Sequence, residues 1–390
     1  MAGNEVLYLD NGATSFPKPD IVVESYSSYL CEIGASPSRG GYKSAIEAGR
    51  VVFQTRKSIA ELIGAKKPSR IIFTKNATEA LNLAIFGLLR QGDRVVTTRM
   101  EHNAVIRPLL KLERDGVVKV FWARTREDGR LDVEHLFELA EKPGVKMVIT
   151  TGMSNVTGVV PPLREIGSFC RERDIIYLVD GAQLLGSYPV NVEEELIDML
   201  AFTGHKAMYG VPGTGGLFVG DRVKSLKPML WGGTGGFSEL PEMPDIFPDK
   251  FEAGTPNTPG IAALGAGVRW VMQQGVDKIR DRKSRILRVM LKRLGEIPGV
   301  KLFGPTDEAD RGATIPFTLD EVKPQKVAQL LWKRYKIAVR AGLHCAPHIH
   351  QDLGAPGGTV RFSFGALNSI EDAHTAAQAL QELVKDIIGV

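Results

Sequence analysis

Two kinds of hydrophobic pattern alternate along the chain between Lys43 and Val219. Short runs rich in β-branched residues predict strands at 70–74, 94–98, 117–122, 146–151, 175–179, 198–203 and 216–219. The stretches between most of them carry apolar residues at three- and four-residue spacing and predict helices at 78–89, 105–114, 131–140 and 163–173, after an earlier helix at 43–63. Alternating strands and helices need crossover connections, so we expect an α/β fold with a mostly parallel sheet.

After Asn257 the pattern changes. Two long helical stretches, 259–274 and 276–294, lead to a short run at 301–303 and to strand-like runs at 313–319, 337–339 and 359–363. Further helices are predicted at 324–335 and 369–388. This half therefore predicts a smaller α+β unit, and the segment 231–259, rich in glycine and proline, is expected to be a connection or a functional loop.

Composition narrows the classes of protein. The 390 residues carry a net charge of only +4, which is too weak to indicate nucleic-acid binding. Residues 1–10 lack the features of a signal peptide, and no apolar run reaches the roughly 20 residues that cross a bilayer. Three widely spaced cysteines, Cys31, Cys170 and Cys345, do not make a disulfide framework. A cytoplasmic protein without membrane partners is expected, in which one cysteine could be reactive.

Candidate chemistry lies where predicted strands end, because parallel sheets bind ligands beyond the carboxyl ends of their strands. Asp180 follows the run 175–179, and Lys206 follows the next run. The carboxylate could pair with the ring nitrogen of pyridoxal phosphate, or it could cap a helix or bind a metal. A desolvated lysine could form a Schiff base, although a surface lysine in a turn is the ordinary alternative. Successive strand ends would place these two residues as the cofactor requires.

A phosphate site is predicted where Ala77 and Thr78 begin a helix, since free backbone N–H groups and the helix dipole favour anions there. Thr203 and His205 could add donors. A plain capping box explains the same motif. Neither a Walker A motif nor a strand-linked G-x-G-x-x-G occurs, so a nucleotide site is not favoured.

Three polar residues could serve a ligand in this crevice. His102 could stack on a flat ring or move protons, or it could be structural. Asn155 could bind a substrate carboxylate or build a turn. Arg361 could bind a carboxylate through two hydrogen bonds or form a surface ion pair.

Cys345 lies in a loop that contains glycine, near Arg340 and His344, and nearby cations would favour its thiolate. A buried structural cysteine is one alternative. Metal binding is another, because His348 and His350 follow in the same loop, but a paired ligand motif is missing. No metal is therefore expected.

Taken together, these motifs resemble the cysteine desulfurases, fold-type-I pyridoxal-phosphate enzymes of the class V aminotransferase family. The motifs occur in family order over nearly the whole chain: Tyr8-Leu-Asp-Asn-Gly-Ala13, Ala77-Thr-Glu, Glu101-His, Ser154-Asn, Val179-Asp-Gly-Ala-Gln183, Gly204-His-Lys206, Phe251-Glu-Ala-Gly-Thr-Pro-Asn257, Arg340-x-Gly-x-His-Cys345 and Val360-Arg-Phe-Ser363. The cysteine loop resembles the group II branch, which includes selenocysteine lyases. That branch commonly has two histidines before the cysteine, whereas this chain has Leu343-His344.

The resemblance implies an aspartate-aminotransferase-like fold with a mostly parallel, seven-stranded sheet. Residues 15–258 would form the large cofactor-binding domain. Residues 1–14 and 259–390 would form the small domain that carries the cysteine loop.

The resemblance also implies a role for each matched residue. Lys206 would bind pyridoxal phosphate covalently and then move the Cα proton, Cys345 would accept sulfur, and His102 would stack on the ring. The other cofactor contacts would come from Asp180, Gln183, Ala77, Thr78, Thr203, His205 and, from a second subunit, Thr255. Asn155, Arg361 and Arg340 would bind the substrate, and a homodimer is implied.

The implied reaction converts L-cysteine to L-alanine and leaves a persulfide on Cys345 for an acceptor protein of unknown identity, for example in iron–sulfur cluster assembly. A selenocysteine lyase, which would act on L-selenocysteine, or another class V reaction on an amino acid is the alternative within enzymes. An inactive scaffold that binds sulfur-transfer partners and a metal-dependent hydrolase are the alternatives from other classes.

Overall fold

The computed structural model describes residues 6–37 and 40–388. Its first half contains the elements β1 (Leu7–Tyr8), α1 (Asp20–Ser28), α2 (Lys43–Leu62), β2 (Ile71–Thr74), α3 (Ala77–Leu88), β3 (Asp93–Thr98), α4 (Asn103–Arg114), β4 (Val118–Ala123), α5 (Val133–Ala140), β5 (Val145–Thr151), α6 (Leu163–Glu172), β6 (Ile176–Asp180), β7 (Met199–Thr203) and β8 (Gly215–Val219). The predicted alternation of strands and helices is confirmed.

Strands β2 to β8 form one seven-stranded sheet in the order β2-β8-β7-β6-β5-β3-β4. All neighbouring pairs from β7 to β4 are parallel, whereas β8 runs antiparallel to both β7 and β2. The expected α/β fold with a mostly parallel sheet is therefore confirmed. The carboxyl ends of the parallel strands β3, β5, β6 and β7 lie at one edge of the sheet. A ligand crevice is expected at this edge.

Both faces of this sheet are covered by apolar residues. Strands β6, β7 and β8 are buried along their whole length, which is why they appear in the sequence as continuous apolar runs. One core, containing Phe202, lies on one face, and a second core, containing Leu81 from α3, lies on the other. The sheet is thus a rigid support for the side chains at its edge.

The second half contains α7 (Thr258–Gln274), α8 (Val276–Gly295), β9 (Val300–Leu302), β10 (Thr314–Leu319), α9 (Pro324–Tyr335), β11 (Ile337–Ala338), β12 (Arg340–Gly342), α10 (Pro347–Asp352), β13 (Thr359–Ser363) and α11 (Ile370–Ile388). Strands β12, β13, β10 and β9 form an antiparallel sheet in that order, and β1 pairs with β11. A separate core joins this sheet to α8, α9 and α11. The smaller α+β unit is present, while its boundaries at residues 14 and 258 stay a prediction.

The helices in the described ranges, 6–37 and 40–388, include none that is both long and apolar enough to span a membrane.

Candidate functional site

A cavity of about 290 Å³ lies at the carboxyl edge of the seven-stranded sheet, where β12 and the loop after it approach. Most of the residues predicted from sequence meet in it. They are Ala77, Thr78, His102, Asn155, Asp180, Gln183, Thr203, His205, Lys206, Arg340, Cys345 and Arg361. Residues separated by more than 250 positions therefore share one site, with the thiol facing the same space as the lysine.

Asp180 and Lys206 come from neighbouring parallel strands. Asp180 is the last residue of β6, and Lys206 follows the end of β7. Burial lowers the pKa of Lys206 to about 8, although the nearby Asp180 carboxylate opposes that shift. A much larger share of this amine is uncharged near neutral pH than for a lysine in water, as a Schiff-base lysine needs.

Unpartnered polar atoms mark the part of the cavity nearest to α3. Asn76 caps this helix by accepting a hydrogen bond from the Glu79 N–H. Thr203 Oγ1 and His205 Nδ1 are buried without a hydrogen-bond partner in the part of the chain that the structure describes. Burial and the nearby Lys206 charge lower the pKa of His205 to about 4, so its ring is neutral. These groups fit a phosphate at a helix N-terminus.

The turn that carries His205 and Lys206 is held from behind by the N-terminal segment. The Ser15 hydroxyl donates to the Lys206 carbonyl at 2.8 Å, and the Lys18 ammonium and Thr14 hydroxyl donate to the His205 carbonyl. This role could not be predicted from the sequence, because these contacts join segments about 190 residues apart.

His102 has a defined tautomer. It is the N-cap of α4, and its Nδ1 accepts the Ala104 N–H at 3.0 Å. Nδ1 therefore carries no proton, and the ring hydrogen of the neutral imidazole lies on Nε2. Burial lowers the pKa of His102, which favours this neutral form.

Gln183 lines the cavity, but its amide nitrogen is engaged elsewhere. Nε2 donates to the Gly12 carbonyl at 2.7 Å, which ties the end of β6 to the N-terminal segment. The predicted contact between Gln183 and a cofactor hydroxyl stays a prediction.

Arg361 is almost fully buried at the cavity and is oriented by two groups. Its terminal nitrogens donate to Asp10 Oδ1 and to the Asn155 carbonyl, each at 2.8 Å. Its Nε is buried and has no partner within residues 6–37 and 40–388. A buried N–H without a partner at the cavity wall is a candidate donor to an anionic ligand. Asp10, which supports Arg361, was not identified from sequence because the two residues lie 351 positions apart.

Cys345 is exposed on a loop whose backbone is fixed by its neighbours. Its carbonyl accepts the Asn103 N–H at 2.7 Å, and the preceding carbonyl, of His344, accepts the Asn155 amide at 2.6 Å. One sequence-based premise is wrong: His344 is not a cation, because burial lowers its pKa to about 2. Arg340, the first residue of β12, is the nearby cation that lines the cavity.

The histidines around Cys345 contact protein groups. His344 and His350 both lie against the Thr359 hydroxyl, and the His348 ring packs edge-on against Trp122 with 5.0 Å between ring centroids. Among the residues that the structure describes, no group of three or more His, Cys, Asp or Glu side chains is placed to hold a metal ion.

Thr255 lies apart from the other predicted residues of this chain. It lines a separate cavity of about 450 Å³, which is also lined by Lys75, just before α3, and by Glu79 in the first turn of α3. The sequence-based prediction assigned Thr255 to the site of a second subunit.

Glu101 is a buried residue next to the site to which we assigned no role from sequence. Its Oε1 accepts the Thr98 hydroxyl and the Thr151 N–H, whereas its Oε2 is buried without a partner among the described residues. Burial raises the pKa of Glu101 to about 8, and the Asp180 charge adds to the effect. The only sequence feature that pointed to Glu101 was its place in the Glu101-His motif, directly before His102.

Comparison with known proteins agrees with this geometry. The family model described as "Aminotransferase class-V" matches residues 7–375. A probable cysteine desulfurase of Pyrococcus abyssi is 34% identical, covering 98% of this chain and 95% of that protein. A cysteine desulfurase of Haloferax volcanii is 33% identical over 96% of this chain and 88% of its own length.

Solved structures show the same likeness. The apo cysteine desulfurase of Thermococcus onnurineus superposes with a TM-score of 0.93 at 34% identity, covering 98% of this chain and 96% of that one. The cysteine desulfurase CsdA of Escherichia coli gives a TM-score of 0.88 at 28% identity, covering 98% and 95%. With its motifs, fold and cavity in agreement, the chain belongs to the class V aminotransferases and, within them, to the cysteine desulfurase family.

Proposed function

We propose that this chain converts L-cysteine to L-alanine and transfers the sulfur to Cys345, with pyridoxal phosphate bound at Lys206. The observation that carries the proposal is the shared cavity. It holds an amine with a lowered pKa, a carboxylate from the neighbouring strand and an exposed thiol. Relatives named cysteine desulfurase match over nearly the whole chain, which supports the same activity here.

The cavity residues fit the cofactor on which this family depends. Thr203 and His205 would hold its phosphate together with the backbone of Ala77 and Thr78. Asp180 would hold a protonated ring nitrogen, and His102 would cover the ring. When bound, pyridoxal phosphate supplies an electron sink for the electron pair left at the substrate Cα.

The substrate carboxylate would bind at the arginines. The free Nε–H of Arg361 donates to one carboxylate oxygen, and the Asp10 contact keeps the guanidinium in place. Arg340 adds a second positive charge in the same cavity. Asn155 holds Arg361 through its carbonyl and the cysteine loop through its amide. Lys206 then takes the Cα proton, because its neutral form is well populated near its pKa of about 8.

Cys345 completes the reaction as a nucleophile. Its thiolate attacks the substrate sulfur, an S–S bond forms, and the bond between that sulfur and the substrate Cβ breaks. The electron pair of the broken bond stays with the carbon fragment, which takes up a proton at Cβ. The thiol of Cys345 and one cysteine thus give one persulfide and one alanine, without an added oxidant or reductant. A sulfur-acceptor protein would then regenerate the thiol.

We also infer a homodimer in which Thr255 of one copy completes the phosphate site of the other. Thr255 does not line the cavity that contains the phosphate candidates of its own chain, and it lines a separate cavity instead. Its absence from its own site supports a role in the site of a second copy. The division into a domain of residues 15–258 and one of residues 1–14 and 259–390, and a cytoplasmic location, belong to the same proposal.

The direct test is incubation of the purified protein with L-cysteine. We expect equal amounts of alanine and transferable sulfur, and mass spectrometry should detect a persulfide on Cys345. Cys345→Ala should abolish alanine formation from cysteine, whereas Cys31→Ala, at another exposed cysteine, should not. Alanine formation by Cys345→Ala at the wild-type rate would overturn the role of Cys345. Activity of the wild-type protein on L-selenocysteine but not on L-cysteine would instead indicate a selenocysteine lyase.

A further inference from the structure

His344 and Ala346 flank Cys345, and buried hydrogen bonds connect these two residues. His344 Nε2 lies 3.1 Å from the Thr359 hydroxyl, and His350 Nε2 lies 3.4 Å from the same oxygen. His350 Nδ1 lies 2.9 Å from the Ala346 carbonyl. Thr359 and His350 are fully buried, and His344 nearly so. One side-chain hydroxyl therefore connects both ends of the reactive loop.

The donors and acceptors of these groups allow only one direction of proton donation along this hydrogen-bond network. A carbonyl only accepts, so His350 Nδ1 must carry a proton. The neutral ring then has a bare Nε2, which accepts the single Thr359 hydroxyl proton. The Thr359 oxygen is left to accept, so His344 Nε2 must donate to it. The sequence of donors is thus His344, Thr359 and His350, ending at the Ala346 carbonyl.

The loop needs such support because its backbone is unusual. His344 and Cys345 have φ angles of 47° and 60°, two consecutive left-handed conformations in residues other than glycine. Such residues keep this conformation only where surrounding contacts impose it. The Asn103 N–H and the Asn155 amide hold the carbonyls of Cys345 and His344. The hydrogen-bond network through Thr359 holds the His344 ring and the Ala346 carbonyl.

We propose that Thr359 is a positioning residue for the thiol of Cys345, acting through His344 and His350. This inference rests on the proposed function, in which Cys345 accepts the sulfur. Thr359 is suited to the role because it lies on β13, where it pairs with Gly342 at the end of β12, directly before the loop. Burial lowers the pKa of both His344 and His350, which favours their neutral forms. The hydrogen-bond network therefore acts on the position of the thiol and leaves the charge beside it unchanged.

Substitution at Thr359 tests the role of this hydrogen-bond network. Thr359→Val keeps the shape but removes the hydroxyl, and we expect alanine formation to fall by about 10–100-fold, as for a reactive group displaced by about 1 Å. Thr359→Ser keeps the hydroxyl and should retain most of the activity. Thr97→Val is the matched control, because Thr97 is equally buried and its hydroxyl has no partner among the described residues.

A second measurement separates position from charge. The rate at which iodoacetamide alkylates Cys345 should change in Thr359→Val, while the midpoint of its pH dependence stays at the wild-type value. A shifted midpoint would overturn a positional role. Because this assay needs no turnover, it tests the role of Thr359 even if the purified protein proves inactive on cysteine. Such inactivity would contradict the proposed function alone.

The wild-type protein provides a test that does not depend on whether a variant folds. Two-dimensional NMR of histidine labelled with ¹⁵N distinguishes the tautomers of the 7 histidines. We expect the proton of His344 on Nε2 and that of His350 on Nδ1 at neutral pH. The opposite tautomer at either residue, a charged ring, or wild-type turnover by Thr359→Val would each overturn the proposal.

Discussion

At the scale of single residues, two carboxyl groups near the proposed cofactor site differ in environment. Asp180 faces the cavity, whereas Glu101 is enclosed behind it with one oxygen unpartnered among the described residues. Because burial raises the pKa of Glu101 to about 8, its carboxyl group is protonated at neutral pH. Asp180 can then hold the negative charge without a second carboxylate beside it, as pairing with a cationic ring nitrogen requires.

The raised pKa of Glu101 predicts how stability depends on pH. Between its ordinary pKa of 4.5 and about 8, the unfolded chain loses this proton while the folded chain keeps it, so stability falls as pH rises. Glu101→Gln, which retains an oxygen to accept from Thr98 and Thr151, should remove this part of the decrease. Denaturant unfolding at pH 5 and pH 8 should show a difference between the two proteins on the order of 1 kcal/mol or more. Equal losses of stability in both would contradict a protonated Glu101.

The lowered pKa of Lys206 predicts how fast the apo-protein binds pyridoxal phosphate. Only the neutral amine reacts with an aldehyde, and the pKa of about 8 makes this form common well below pH 10. The initial rate, followed by visible absorption, should rise about tenfold from pH 7 to pH 9 and then level off. Lys206→Ala should not gain this absorption. A rate that keeps rising toward pH 10.5 would show an ordinary lysine.

Site residues could be predicted from the sequence only where a local sequence pattern indicated them. Asp180 and Lys206 could be predicted because each lies at or just after the end of a buried strand, and neighbouring strand ends meet at one edge. Asp10 and Thr359 could not, because their roles come from contacts with partners on other elements. The charge state of His344 was predicted wrongly because burial, which sequence spacing does not reveal, removes its proton.

At the scale of elements, buried parallel strands were the most predictable feature. Strand β6 was expected at 175–179 and occurs at Ile176–Asp180, since an uninterrupted apolar run defines it. The antiparallel direction of β8 was not predicted, because direction follows from the connection and not from the run itself. Helix α1 was missed, since Val22 is its only buried residue and no apolar periodicity results.

The junction before β13 predicts a sharp difference between two adjacent glycines. Gly358 has a φ of 87°, and a Cβ there would lie 2.5 Å from the Gly342 carbonyl carbon. Gly358→Ala should therefore push β13 away from β12, lower stability by about 1–3 kcal/mol and reduce turnover. Gly357→Ala is the control, because a Cβ at Gly357 meets no atom within 4 Å. Thermal unfolding of both variants measures the effect, and equal stability would contradict it.

At the scale of the whole molecule, the segment between β8 and α7 carries apolar side chains on the surface. Leu230 and Trp231 are 52% and 72% exposed, and Leu230 lines the same cavity as Thr255. The sequence predicted a connection or functional loop here and could not choose between them, since glycine and proline occur in both. Exposed apolar groups beside a residue expected to serve a second subunit favour a loop that is buried on dimerisation.

The homodimer proposal predicts complementation between two defective chains. Thr255→Ala should lose pyridoxal phosphate on dialysis, and Lys206→Ala cannot bind it covalently. If Thr255 serves the other subunit, a mixed dimer contains one intact site, with Lys206 from one chain and Thr255 from the other. Co-expression of the two variants should therefore restore visible absorption that neither homodimer retains, in particles of twice the 42.5 kDa chain mass by light scattering.

A double variant, carrying both changes in one chain and co-expressed with Lys206→Ala, is the control that should restore none. Failure of the first mixture would place Thr255 in the service of its own chain or of neither site, because restoration requires the threonine of one subunit to reach the phosphate of the other.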